Sequence, residues 1–101
     1  MRRATTPIHT FTFPDNVKVE EVTEALVSYS QNGQKILEKT LNDLTADTTN
    51  NTFSLALTEN ETKLFAPGKA LIQVRVKVSG GALASQMIWL NVKPVLNSEG
   101  L

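Results

Sequence analysis

Between residues 69 and 79 the chain alternates: Ala70, Ile72, Val74, Val76 and Val78 fall on one side, while Gln73, Arg75 and Lys77 fall on the other. A period of two is the repeat of a pleated strand with one face in a core and the other in water, and a helix cannot satisfy it. The same alternation recurs along the 101 residues. Residues 5–13 put His9, Phe11 and Phe13 opposite Thr10 and Thr12. Residues 22–31 set Ala25, Val27 and Tyr29 against Glu24, Ser28 and Ser30, with Leu26 breaking the pattern. Leu37 and Leu41 oppose Glu38 and Thr40 within residues 35–44, and Phe53, Leu55 and Leu57 alternate with Thr52, Ser54 and Ala56. Residues 82–93 differ in being apolar on both sides, with Ile88, Leu90 and Val92 on one and Leu83, Met87 and Trp89 on the other.

The punctuation between these segments is that of hairpins. Asn32-Gly33 tolerates the two positive φ angles of a type I′ turn, and Gly80-Gly81 supplies a second tight connection. The stretch Asp47-Thr48-Thr49-Asn50-Asn51 is a polar loop of turn formers. Thr58-x-x-Glu61 has the form of a capping box, which predicts one short helix near residues 59–65 that turns Leu64 and Phe65 onto a sheet and stops before Pro67-Gly68. Pro94 closes the last strand, and residues 95–101 form a tail that frays or docks elsewhere. Six to seven strands in this order predict an all-β fold, a two-sheet antiparallel sandwich of immunoglobulin-like build, in a single domain over residues 1–101; a small open barrel is the alternative.

Composition narrows the task. The chain has no cysteine, so neither a disulfide nor a thiolate metal site can hold it together. Ten basic and ten acidic side chains cancel, leaving no net field to gather nucleic acid or anionic lipid. No apolar run reaches the length of a membrane span, and the Met1-Arg2-Arg3 start leads into alternating Thr and Phe rather than an apolar signal core. The expectation is a protein synthesised in the cytoplasm and not exported by a cleaved signal.

Candidate chemistry is sparse. His9 is the one imidazole, and a lone histidine between Thr and Ile on a strand meets none of the requirements of a nucleophile-base pair. Zinc needs three or four His, Cys or carboxylate ligands, and Asp43-Leu44-Thr45-Ala46-Asp47 lacks the acidic density and the glycine of a calcium loop. Glu20, Glu21 and Glu24, or Glu59 and Glu61, could pair as glycosidic carboxylates, but they lie in polar connections where nothing buries them. Two charges, Arg2 and Arg3, release too few counterions to hold a duplex. Asn50-Asn51-Thr52 and Asn60-Glu61-Thr62 match the glycosylation acceptor pattern and stay silent without an export signal. No catalytic, cofactor-binding or metal-binding set is predicted, and the chain reads as a non-enzyme.

Leu83, Met87 and Trp89 carry what functional content remains, because Met and aromatic side chains on a strand's second face mark a covered surface or an interface. Either the chain's own loop around Val17 and Val19, or the helix bearing Leu64 and Phe65, folds over them, or another subunit does.

The order of signals resembles a known group. It consists of Arg-Arg-x-Thr-Thr-Pro at 2–7, Thr-Phe-x-Phe-Pro at 10–14, Tyr29-Ser30-Gln31-Asn32-Gly33, Leu57-Thr58-x-x-Glu61-Thr62-x-x-Phe65, Ile72-Gln73-Val74-Arg75-Val76 and the strand from Ser85 to Val92. Together these resemble small proteins of phages and prophages of Firmicutes, similar to the N-terminal β-sandwich of phage baseplate upper proteins. The resemblance implies a non-catalytic structural component of a tail or baseplate, virion-associated, homo-oligomeric, and contacting copies of itself or other phage structural proteins. A soluble carbohydrate- or receptor-binding sandwich is the competing reading; its usual platform of exposed aromatic rings is missing, since Tyr29 and Trp89 are the only tyrosine and tryptophan.

Overall fold

The buried sides of the alternating segments meet in one core: Phe11, Phe13, Val27, Tyr29, Phe53, Leu55, Leu57, Phe65, Ala70, Ile72, Val74 and Val76 are all nearly or fully excluded from water. The computed structural model describes residues 1–94, so the predicted tail at 95–101 lies outside the described residues. The strands are β1 (Ile8–Thr12), β2 (Val22–Gln31), β3 (Gln34–Thr40), β4 (Thr45–Asp47), β5 (Thr52–Ala56), β6 (Gly68–Val78) and β7 (Leu83–Val92), with one helical turn, α1 (Glu59–Thr62). They form two antiparallel sheets in the orders β1-β5-β4 and β3-β2-β6-β7, the immunoglobulin-like sandwich that the alternation predicts.

Local chemistry explains most of the element ends. Gln31 pairs with Gln34 across Asn32 (φ 52°) and Gly33 (φ 78°), the positive angles of a hairpin turn whose twist suits the flanking strands. The Thr58 hydroxyl accepts from the Glu61 N–H while the Glu61 carboxylate accepts from the Thr58 N–H, closing the expected capping box. α1 ends at Thr62, however, well short of residue 65. Phe65 still reaches the core, but Leu64 points outward, 57% exposed. A turn this short gives Leu64 no helical face to share with the sheet.

The strand expected over residues 35–44 is also shorter. It ends at Thr40, whose backbone N–H donates to the Asp43 carboxylate, and a 3-10 turn at Leu41–Asp43 carries the chain across to the second sheet as β4. Likewise the expected first strand from residue 5 begins at Ile8. Residues 1–3 instead lie beside the end of β7: the Met1 carbonyl accepts from the Lys93 N–H at 2.7 Å, and the Arg3 N–H donates to the Lys93 carbonyl at 3.1 Å.

Three buried or half-buried polar side chains pin connections that strands cannot. Asn51, at φ 57°, donates to the carbonyls of Phe13, Pro14 and Val17 and accepts from the Val19 N–H, which seats Val19 in the core. Gln31 clamps the backbone of Ala66 through both amide atoms, at 2.7 and 2.9 Å. Thr62, fully buried, accepts from the Thr5 N–H and donates toward the Thr5 and Glu59 carbonyls. Each would cost on the order of 1–3 kcal/mol to leave unpartnered.

Candidate functional site

β7 follows the period of two along its whole length. Even positions from Ala84 to Val92 face the core, and odd positions face away from it. Leu83, Met87 and Trp89 therefore stand together on the outer face of the four-stranded sheet, 79%, 67% and 70% exposed. Neither segment that could have covered them does so: Val19 and Phe65 are inside the sandwich.

The antiparallel register sets the neighbours of these side chains. On β6, Leu71 lies beside Trp89, Gln73 beside Met87, Arg75 beside Ser85 and Lys77 beside Leu83. The Gln73 amide approaches the Met87 sulfur at 3.7 Å. On β2 the rows continue with Ser30, Ser28, Leu26 and Glu24, and Glu24 meets Lys77 at 3.8 Å. The result is an outer face with an apolar margin along β7, extended by Leu71, and a polar middle. Leu26 and Leu71 belong to this face; the break in its strand's alternation marks Leu26 in the sequence, whereas Leu71 goes unmarked among its polar neighbours. Where β2, β6 and β7 reach their Val22 end, Glu24, Leu26, Arg75, Lys77 and Leu83 line an open depression of about 710 Å³.

Most of the remaining titratable groups lie away from this face, and several are engaged. His9 Nδ1 sits 2.7 Å from the hydroxyl of fully buried Tyr29, whose ring packs edge-on against Phe65. Burial, and after it the positive charge of the Met1 amine, holds the His9 imidazole below its ordinary value. Burial first, then the Glu61 charge, pushes the Tyr29 phenol up. Glu61 is raised by burial, but its bonds to Lys39 and to Thr58 outweigh that and hold the carboxyl low. Glu59 pairs with Lys63 at 3.3 Å, while Glu20 and Glu21 lie exposed in a 3-10 turn before β2. Arg2 and Arg3 donate to the carbonyls of Pro94 and Lys63. Among the described residues no group of three or more His, Cys, Asp and Glu side chains stands where it could hold a metal ion. None of the described helices is long and apolar enough to cross a membrane.

No family model matches the chain, and no curated protein does. A solved structure does match: CopC from Methylosinus trichosporium OB3b superimposes over 92% of this chain and 82% of its own, with a TM-score of 0.59 at 17% identity. That likeness establishes the shared sandwich fold. It also corrects the expected kinship with phage baseplate upper proteins, because the fold partner is a different protein and nothing in the sequence ties the chain to a phage. The tail or baseplate role implied only by that kinship is overturned with it, and the competing carbohydrate- or receptor-binding reading gains no support. The physical reason is plain in the quoted motifs. Thr-Phe-x-Phe and Ile-Gln-Val-Arg-Val are what any strand with one wet and one dry face produces, so they encode a sandwich and not an ancestry.

Proposed function

We propose that this domain is a non-catalytic protein-recognition module whose working surface is the outer face of the β6–β7 hairpin. The observation that carries the reading is the joint exposure of Leu83, Met87 and Trp89 on one face of a strand whose opposite face builds the core. An antiparallel sheet open to water on one side ordinarily presents polar groups there. Three large apolar side chains in a row, one of them the rigid indole that most often anchors interfaces, fit a surface that a protein partner covers. Engagement of the single histidine by Tyr29, and of Glu24, Glu59 and Glu61 by lysines, also favours recognition over catalysis.

Trp89 is the only tryptophan, which makes the test direct. In dilute protein its fluorescence is expected to be quenched freely by acrylamide, and charging the face with Met87→Lys plus Trp89→Lys should leave the unfolding free energy within about 0.5 kcal/mol of wild type. In the producing cell, a photo-crosslinker at position 87 should give a discrete adduct that one at Thr10, exposed on the other sheet, does not. A shielded indole, or a charged variant that unfolds, would overturn the reading.

A further inference from the structure

We infer that the partner is a second copy of the chain, docked along the β7 margin of this surface: its β7 adds antiparallel to this β7 and joins two four-stranded sheets into one of eight. The inference rests on the recognition reading and names its partner.

β7 is the last strand of its sheet: β6 pairs it on one side, and among the described residues the other side is met by backbone only at Asn91, through the Met1 amine. Sheet edges are usually blunted by charge, proline or a bulge, because a free row of N–H and C=O groups templates another strand. The opposite edge has such protection: β3 carries Lys35, Glu38 and Lys39 and meets β2 with a register shift. β7 has none of it. Residues 82–92 contain no charged residue and no proline, and the β6–β7 register runs without a shift.

The backbone shows which groups are free. The Asn91 carbonyl and both polar groups of Lys93 face away from β6, since they are taken by Met1 and Arg3. The Ala82 carbonyl faces the other way, accepting from the Val78 N–H at 2.9 Å. With alternation unbroken, the N–H and C=O groups of Leu83, Ser85, Met87 and Trp89 point to the open side. A two-fold axis at Gln86 pairs these four residues and no others: 83 with 89 of the second copy, and 85 with 87. Each such pair can exchange two backbone bonds. Centring the axis at 87 would instead require position 91, whose carbonyl Met1 already occupies. The same register lays each Trp89 beside the Leu83 of the second copy, so one patch is its own complement, as a two-fold interface requires.

Leu83, Met87 and Trp89 on the outer side, with Ala84, Ile88 and Leu90 left half-buried along the open margin of the core, flank this edge with apolar side chains that the second β7 brings into cross-strand contact. Such a pairing belongs with the small, transient interfaces, for which a dissociation constant on the order of micromolar is the working expectation.

Sedimentation of the full chain over a concentration series tests this, with two cysteine variants to read the register, which a chain lacking cysteine makes clean. Wild type should pass from monomer to dimer as concentration rises. Gln86→Cys, on the axis, should form a disulfide-linked dimer on mild oxidation, and Leu83→Cys should not. Met87→Lys, which sets two like charges across the shared edge, should stay monomeric with its fold intact by circular dichroism. A wild type that stays monomeric to about a thousand times the expected constant overturns the second copy as occupant; if Trp89 is then still open to acrylamide, the recognition reading survives with another protein as partner. A dimer that crosslinks through Leu83→Cys but not Gln86→Cys overturns the strand pairing.

Discussion

The His9–Tyr29 contact shows how one polar pair can be structural in a site that superficially offers chemistry. The Tyr29 ring is wholly buried between β2, β1 and Phe65, so its hydroxyl depends on the imidazole 2.7 Å away. Replacing His9 by Ala leaves that hydroxyl without its partner and should cost about 1–3 kcal/mol in urea denaturation. Tyr29→Phe in the same background should recover part of the loss, because it removes the stranded group. The pH dependence has a definite sign. Burial holds the imidazole below its ordinary value in the folded protein, so the unfolded chain takes up the proton first. Stability from this source is complete above about pH 6.5, is lost as pH falls through that value, and levels off once His9 protonates in the folded state as well. His9→Gln should lose the step near pH 6.5 and keep only the one nearer pH 8 from the Met1 amine, which burial, and after it the charges of Lys93 and Arg2, hold below its ordinary value; an unchanged step near pH 6.5 in the variant would mean that another group is responsible.

At the level of elements, turns were the readable part of this chain. Asn32-Gly33 takes the two positive φ angles its sequence demands, which gives a clean expectation for that hairpin. Gly33→Ala forces a Cβ into the left-handed region and should cost about 1 kcal/mol, while Gly33→Asn should cost less, as compared by thermal denaturation. The outcome fails if both variants melt alike, since the backbone angle would then not be the constraint. The capping box at Thr58 and the alternation of β2, β5, β6 and β7 were legible for the same reason: each depends on neighbours a few residues away. What stayed hidden depends on distant ones. That residues 1–3 pair with Lys93, that Asn51 gathers residues 13–19, and that Gln31 clamps Ala66 are contacts between segments with no shared local code. The early end of β3 did have a local signal, Thr40-x-x-Asp43, a second capping pattern masked by the continued alternation of Leu37 and Leu41. Of the outer face, Leu83, Met87 and Trp89 were legible because β7 is apolar on both sides. Leu71 was not, because it sits among Gln73, Arg75 and Lys77 on a face that otherwise reads as wet.

Across the whole molecule, the two margins of the larger sheet are built on opposite principles. β3 is charged and irregular, whereas β7 is uncharged, regular in register and, among the described residues, capped only from Asn91 onward. Gln86 of β7 donates to the Thr12 carbonyl of the smaller sheet at 2.6 Å, and the inward Ile88 and Leu90 pack against the core but stay half-covered. A core left ajar along an unguarded edge makes folding and association draw on the same apolar surface. Anything that binds the folded state alone raises its apparent stability by mass action. For a two-fold dimer, each tenfold rise in concentration above the dissociation constant adds about 0.7 kcal/mol per protomer, half of RT ln 10. In a domain of this size that is a rise of roughly 3–5 °C in melting temperature per decade. Wild type should therefore melt several degrees higher at 100 μM than at 1 μM, and Met87→Lys should melt at one temperature throughout. Scanning calorimetry on both proteins over that range decides it. A wild-type melting point that does not move with concentration would mean that the core gains nothing at its open margin, and the edge would have to serve some other partner.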